Sequence, residues 1–376
     1  MYDVCVITTI HQPLDARITD RGIRFYTESG FRTAVVCPWD YAPHTGVAPD
    51  AWRQTRFAAN RGERLRLAWD TYRAALRTPA RVYHFHDFDF LPWAVLLQRR
   101  TGRPVVYDCH EHYAKDALYH KPWIVPPLRR PLSFGIRILE SWAARRLRHV
   151  IVVVPSMIDR FREIGIEAVL VKNISRVDPQ PELQHDRALL YSGSVSAFYG
   201  SDTLLEIARI LKRRGGTVPL VVPDRFYSPE LRAQFVAAIA QEALPLRIVP
   251  QVPPSEMYRL LQLGSIGLVT DQDTPSMAHG MHAKFFDYMA AGLPIVAGDL
   301  ANARQLIETA QNGVLVPPDD AEAYVDAALA LLNDPDVLER LRGNGFRAFD
   351  ERYSWRLERD RMLTFIRSLL GNSSTT

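Results

Sequence analysis

A chain of 376 residues and 42.8 kDa exceeds what one hydrophobic core supports, so two domains of ordinary size are expected. Hydrophobic residues make up 47% and charged residues 23%, which excludes a disordered chain. Three scattered cysteines (Cys5, Cys37, Cys109) exclude a disulfide framework and a zinc cluster. No basic, apolar leader opens the chain and no apolar run reaches the roughly 18 residues of a bilayer span, so a cytoplasmic setting is expected.

The net charge of +4 hides an asymmetry. Residues 1–180 hold 27 Lys+Arg against 18 Asp+Glu, and residues 181–376 hold 19 against 24. The basic half suits an acidic ligand, nucleic acid or an anionic membrane surface; a solvated Arg-rich surface is the plain alternative.

In chain order, apolar runs predict strands at Val4–Thr9, Thr33–Cys37, Arg81–Phe85, Val105–Asp108, Val150–Val154 and Ala168–Val171. A second series follows at Leu189–Tyr191, Pro219–Val222, Arg247–Val249, Ile266–Val269, Ile295–Ala297 and Val314–Val316. Helical patterns lie between, among them Ile18–Glu28, Arg137–Arg148, Thr203–Lys212, Ala283–Ala291 and Ala321–Leu332. Apolar strands alternating with helices predict parallel sheets covered on both faces. The polar stretch Asn173–Arg187 reads as a linker. The expected fold is α/β, with two Rossmann-like doubly wound domains facing each other across a cleft. Their expected bounds are 1–174 and 188–353, joined by 175–187 and followed by a helix and tail over 354–376. The segment 119–149 carries seven Lys/Arg against Glu140, interleaved with Trp123, Ile124, Val125 and Leu128. That is the pattern of an interfacial segment. A surface loop leading into an ordinary amphipathic helix reads the same way.

No P-loop, dinucleotide fingerprint or hydrolase elbow occurs. His110 and His112 are two residues apart, not the i, i+4 pair of a zincin. Asp-x-Asp pairs at Asp87/Asp89, Asp271/Asp273 and Asp334/Asp336 are as frequent as chance allows. Four segments carry more. Asp15 and Arg17 follow the first strand. His86 and Asp87 follow Arg81–Phe85. Asp108, His110 and Glu111 follow the next strand. Titratable groups at the carboxyl ends of such strands face the ligand crevice; capping of the following helix competes for each Asp.

The fourth segment is 279–296, where a Gly-containing loop enters a helix. Free N–H groups at a helix start form an anion site. Lys284 in the first turn opposes the helix dipole and calls for an anion in front of it. Asp287 lies one turn on, on the same face, suited to two vicinal sugar hydroxyls. The pair reads as a sugar-nucleotide site, with a surface i, i+3 ion pair as the rival reading.

At this point the chain resembles the GT-B glycosyltransferases, specifically the retaining group called glycosyltransferase family four. The resemblance rests on Asp15-x-Arg17-Ile18, His86-Asp87, Asp108-x-His110-Glu111, Gly193, and Lys284-x-x-Asp287-Tyr288-Met289-Ala290-Ala291-Gly292-Leu293-Pro294. Asn312–Val316 with Asp319-Asp320, and Tyr353-Ser354-Trp355, complete it. It implies a nucleoside-diphosphate sugar donor on the second domain, a glycan or lipid-linked acceptor on the first, no nucleic acid and no catalytic metal or other cofactor. It also implies that the last helix crosses back to the first domain. His110 is implied to contact the donor sugar, Lys284 and the loop His279-Gly280-Met281-His282 the diphosphate, and Asp287 the ribose. Gly193 and Ser194 belong to the donor side. Asp15, Arg17 and His86 belong to the acceptor side, and Asp87, Asp15 or Glu111 would serve as base if the reaction inverts. Where the family carries Arg and Lys after the second domain's first strand, this chain has Ser194 and Tyr199; where it carries a first Glu, this chain has His279. A sugar-nucleotide epimerase of the same fold, or a non-catalytic sugar-nucleotide-binding homologue, are the alternative readings.

Overall fold

The computed structural model describes the chain except residues 12–14, 39–47, 56–60, 111, 120–123, 175–176, 254–255, 275–281 and 373–376. The chain divides into two compact units. One comprises Met1–Asn173 with Arg356–Thr376, the other Ile174–Trp355.

The first unit holds β1 (Tyr2–Ile7), β2 (Thr33–Cys37), β3 (Ala51–Gln54), β4 (Ala80–Phe85), β5 (Val105–Cys109), β6 (His149–Val152) and β7 (Val169–Leu170). They form one sheet in the order β3-β2-β1-β4-β5-β6-β7, with every pairing parallel. The strand order turns back between β1 and β4. There the crossovers leave on opposite faces and open a crevice at the carboxyl edge. Register sets Ile7 beside Phe85 and Phe85 beside Tyr107, so the residues that follow all three strands meet at that edge.

The second unit holds β8 (Leu189–Leu190), β9 (Leu220–Pro223), β10 (Leu246–Val249), β11 (Ile266–Val269), β12 (Ile295–Gly298) and β13 (Gly313–Val316), in the order β10-β9-β8-β11-β12-β13, again all parallel. Its turning point lies between β8 and β11. Strand alternation explains the two-sided core. Leu189, Leu220, Val222 and Leu268 pack on one face with helices Ser201–Arg213 and Ala321–Leu332. Leu190, Val221, Val269 and Ile295 pack on the other with helix Ala283–Ala291.

Residues 177–187 lie against the second unit: Gln180 N–H donates to Ala290 O, and Asp186 N–H to Gln262 O. Helix Trp355–Asn372 joins the first unit. It buries Met362 and Ile366 there, and its Glu358, fully buried, accepts from Lys172 N (2.9 Å) and Arg361 Nη1 (2.8 Å).

Three elements differ from the sequence expectation. β3 has no counterpart in it, because this edge strand is half exposed and carries Arg53 and Gln54. Residues 16–28 form no single α-helix: Thr19–Arg24 winds as a π-helix between two short α-helical turns. The helix expected from Arg137 begins at Pro126, with proline at its first positions where no backbone N–H is needed. Its C-terminal half is anchored by buried Glu140, which accepts from Tyr107 Oη (2.9 Å) and pairs with Arg160 (2.6 Å). Its start exposes apolar side chains, although Ser133 Oγ donates to Ala114 O (2.7 Å). Val125, Leu128, Leu132, Phe134 and Ile138 are each at least 40% exposed, among Arg129, Arg130 and Arg137. Among the described residues, no helix is long and apolar enough to cross a membrane.

Candidate functional site

Each unit gathers a polar cluster at its own strand-order turning point. In the first unit Thr9 ties the ends of β1 and β4 together. Its N–H donates to Asp87 Oδ2 (2.6 Å) and its hydroxyl to Asp89 Oδ1 (2.7 Å). His11 Nδ1 sits 2.6 Å from Asp15 Oδ2, and its Nε2 lies 3.4 Å from Asp87 Oδ1. Burial pushes the Asp15 carboxyl up, but the hydrogen bond and charge of His11 outweigh it and hold Asp15 well below the usual range. Asp89 goes the other way: burial and the neighbouring Asp87 raise it to about 6.

Arg17 is buried, not on the surface. Its Nε and Nη2 grip both oxygens of Asp108 (2.9 and 2.7 Å), and Nη1 donates to Val171 O (3.2 Å). His84 and His86 also face Asp108 Oδ2, at 3.4 and 3.3 Å, and Tyr26 Oη is 2.8 Å from His84 Nδ1. Burial drives His86 down to about 3, so the ring is neutral. His84, His86 and Asp108 stand as close together as metal ligands do. The guanidinium of Arg17 already neutralises the one carboxylate, so a dication there would sit beside an unshielded positive charge. The trio fits a core organised around the Arg17–Asp108 ion pair better than a metal centre. His110 Nδ1 lies 3.2 Å from Asp108 O, and its ring centroid is 5.1 Å from His11 and 5.8 Å from His86. Asp15, Arg17, His86, Asp87 and His110 thus come together; Glu111 lies outside the described residues.

In the second unit the loops after β8 and β11 touch. Gly200 has φ +74°, and a Cβ there would lie 2.1 Å from Thr270 O, so only glycine admits this approach. A Cβ at Gly193 would meet Tyr191 Oη at 2.7 Å, and that hydroxyl donates to Ser194 O (2.8 Å). Helix Ala283–Ala291 opens beside these loops with Lys284 in its first turn. Lys284 is 6% exposed. Its Nζ donates to Asp271 Oδ1 (2.7 Å) and stands 4.9 Å from the ring centres of both Tyr191 and Tyr199. Asp271 Oδ2 lies 2.6 Å from His282 Nδ1. Burial opposes its ionisation, but the charges of Lys284 and His282 prevail and hold Asp271 well below the usual range. The ion pair of Lys284 is with Asp271, not a surface pair with Asp287. Asp287 is itself buried, one turn along the same helix. His279, Gly280 and Met281 lie outside the described residues.

Sequence reasoning passed over His11 and Thr9, and above all Asp271. The last belongs to an Asp-x-Asp pair set aside as chance; its place just past a buried strand was the available signal.

Two family models match the chain. The one described as Glycosyltransferase Family 4 covers residues 16–175, and the one described as Glycosyl transferases group 1 covers residues 186–334. An alpha-D-kanosaminyltransferase of Streptomyces kanamyceticus is 26% identical over 189 residues, 50% of this chain and 46% of that protein. A phosphatidyl-myo-inositol mannosyltransferase of Mycobacterium leprae (strain TN) is 42% identical over 67 residues, 18% of each. The chain spans less than half the length of these curated relatives. Among solved structures, a sucrose-phosphate synthase from Thermosynechococcus elongatus aligns over 99% of this chain and 100% of its own, with a TM-score of 0.75 and 15% identity. The HepE protein of Anabaena, in complex with UDP, aligns over 97% and 100%, with a TM-score of 0.72 and 12% identity. At such identities the likeness is one of fold. Two parallel-sheet units and two family models that between them span most of residues 16–334 place this chain among the GT-B glycosyltransferases, in the group resembling family four.

Proposed function

We propose that the chain transfers a sugar from a nucleoside diphosphate to an acceptor hydroxyl with retention, in glycan, polysaccharide or glycoconjugate synthesis. The observation that carries this is the buried Lys284 ammonium at a helix start, with one hydrogen bond, to Asp271, among the described residues. An ammonium has three donors. The others suit the oxygens of a diphosphate, as does the partial positive charge of the helix start. The hydroxyls of Ser192 and Ser196, buried and without hydrogen-bond partners among the described residues, offer further donors on the neighbouring loop. In this reading His279–His282 and the loop of Gly193 and Ser194 complete the phosphate site, and Asp287 holds the ribose. A structural neighbour solved with UDP and glucose supports the same donor class.

The bond from sugar C1 to the phosphate oxygen breaks, and the acceptor oxygen bonds to C1 on the same face. The departing phosphate oxygen takes the acceptor proton, so no protein nucleophile is required. Lys284 stabilises charge that grows on that phosphate as the bond lengthens, which lowers the barrier where equal binding of ground state would not. His110 contacts the donor sugar. Asp15, His86 and Asp87 border the acceptor, and Arg17 acts through Asp108. Asp87, Asp15 or Glu111 is the base if the product is inverted. The residues assigned supply the charge stabilisation themselves, and the reaction as written includes no metal. The test is a thermal-shift screen of UDP, GDP, dTDP and ADP sugars, followed by proton NMR of the product's anomeric centre. One donor class is expected to raise the melting temperature by mass action, and the product to keep the donor's anomeric configuration. No shift with any of them defeats the proposal.

The acceptor side is placed at the cytoplasmic face of an anionic membrane. Val125 and the exposed first turns of helix Pro126–Leu147 supply five exposed apolar side chains among arginines, and the helix's single acid, Glu140, is buried. Each basic residue near an anionic surface contributes about 1 kcal/mol. The protein is therefore expected to float with vesicles containing phosphatidylglycerol and to stay behind with pure phosphatidylcholine. Phe134→Ser with Ile138→Ser should abolish flotation while leaving the melting temperature within a few degrees. Equal flotation on both lipids would remove the anionic surface from the account.

A further inference from the structure

We infer that Asp271 is a positioning residue that fixes Lys284 and His282 at the phosphate site, an inference that rests on the donor-binding reading of Lys284. Asp271 lies two residues past the end of β11 and is 2% exposed. One of its oxygens takes Lys284 Nζ at 2.7 Å and the other faces His282 Nδ1 at 2.6 Å. Both partners belong to the entry of one helix, Lys284 within it and His282 as its N-cap. His282 makes no side-chain cap bond to the helix, so its ring is oriented by Asp271 and by an edge-on contact with Tyr199, centroids 5.5 Å apart. Lys284 would otherwise sample many rotamers. The carboxylate on one side and the faces of Tyr191 and Tyr199 around it confine the ammonium before any ligand arrives.

The carboxylate has a second consequence. A bare lysine and histidine beside a diphosphate would attract it most strongly, whereas an anion between them opposes that attraction. Asp271 is thus retained for position against its own electrostatic cost. The same network accounts for Tyr199 at a place where the family carries a cation. An aromatic face steers the Lys284 ammonium, which reaches the site from the helix instead of the loop.

The test is a double-mutant cycle read by calorimetry, with UDP as probe and GDP, dTDP and ADP alongside. Lys284→Met should weaken binding of the preferred diphosphate; if it does not, the donor reading fails, and the positioning role falls with it. Given that loss, Asp271→Asn is expected to weaken binding roughly three- to tenfold, the scale of ordering one long side chain on binding. In the Lys284→Met background the same change should cost less affinity than in the unaltered protein, because only His282 is then left for Asp271 to position. Equal losses in both backgrounds, or tighter binding by Asp271→Asn, overturn the positioning role while leaving the donor reading intact. Asp271→Glu keeps the anion within reach of both partners and guards against a misfolded Asn variant. It should restore affinity to within about threefold of the unaltered protein, and a Glu variant as weak as the Asn variant also overturns the inference.

Discussion

Lys284→Ala is expected to lower sugar transfer by roughly 10²-fold or more, the usual scale for removing a donor that stabilises transition-state charge. The loss should fall on kcat as well as on kcat/KM. Positive charge near the phosphate bridging to C1 counts most once that bond is breaking. Two features make the effect large here. The ammonium is nearly sealed from solvent, so its field is poorly screened. The neighbouring loop offers Ser194 and Tyr199, neither of them cationic, so the work falls on Lys284, on backbone amides or on another cation such as Arg225. Lys284→Arg should retain part of the rate by keeping the charge, although a planar fork does not fit between the rings of Tyr191 and Tyr199 as an ammonium does. Single-turnover transfer assays with the donor selected by thermal shift read this out. Turnover of Lys284→Ala near that of the unaltered protein would remove Lys284 from the chemistry.

How far the sequence carried these conclusions differs between fold and site. Ile266–Val269, Thr33–Cys37 and Ala321–Leu332 have the bounds their residue patterns predict. A strand covered on both faces is apolar throughout, and a helix capped by Asp320 announces its start. The edge strand Ala51–Gln54 is covered on neither face fully and lacks any such mark. The helix from Pro126 was hidden because its opening prolines read as loop and because the apolar side chains of its first turns are exposed among arginines instead of forming a core face. For the site, Lys284 was legible because a cation at a helix start is electrostatically out of place. Asp271 was not, since its meaning depends on where the end of β11 meets the entry of a helix thirteen residues on, and spacing alone does not reveal that meeting. Arg17 shows the opposite hazard. An exposed-looking arginine after a strand becomes a buried clasp once β1, β5 and β7 lie in one sheet.

That clasp sets the second large effect. Arg17→Ala leaves the Asp108 carboxylate buried beside two histidines without its counter-ion, a change that costs about 3–5 kcal/mol. In a unit of this size the melting transition should fall by on the order of 10 °C. Arg17→Met with Asp108→Asn removes both charges and should regain much of the loss, because neither partner is then left ionised in the core. The same pair dictates the response to acid. The folded-state pKa of Asp108 is depressed, with burial opposing and Arg17 prevailing, so its stabilisation is complete above the unfolded value near 4. It is lost as pH falls through the still lower folded value. His86 adds a decline at higher pH. It is held neutral down to about 3 in the fold but takes a proton near 6.5 when unfolded, so stability declines as pH drops from about 6.5 towards 3. Calorimetric melts between pH 7.5 and 3.5 should show this decline in the unaltered protein, and His86→Gln should lessen its slope, the remainder coming from His149 and His185, which burial also lowers. A His86→Gln variant with an unchanged slope over that range would mean that the buried ring does not govern the acid response, and an Arg17→Ala variant melting at the original temperature would mean that the clasp does not hold the first sheet together.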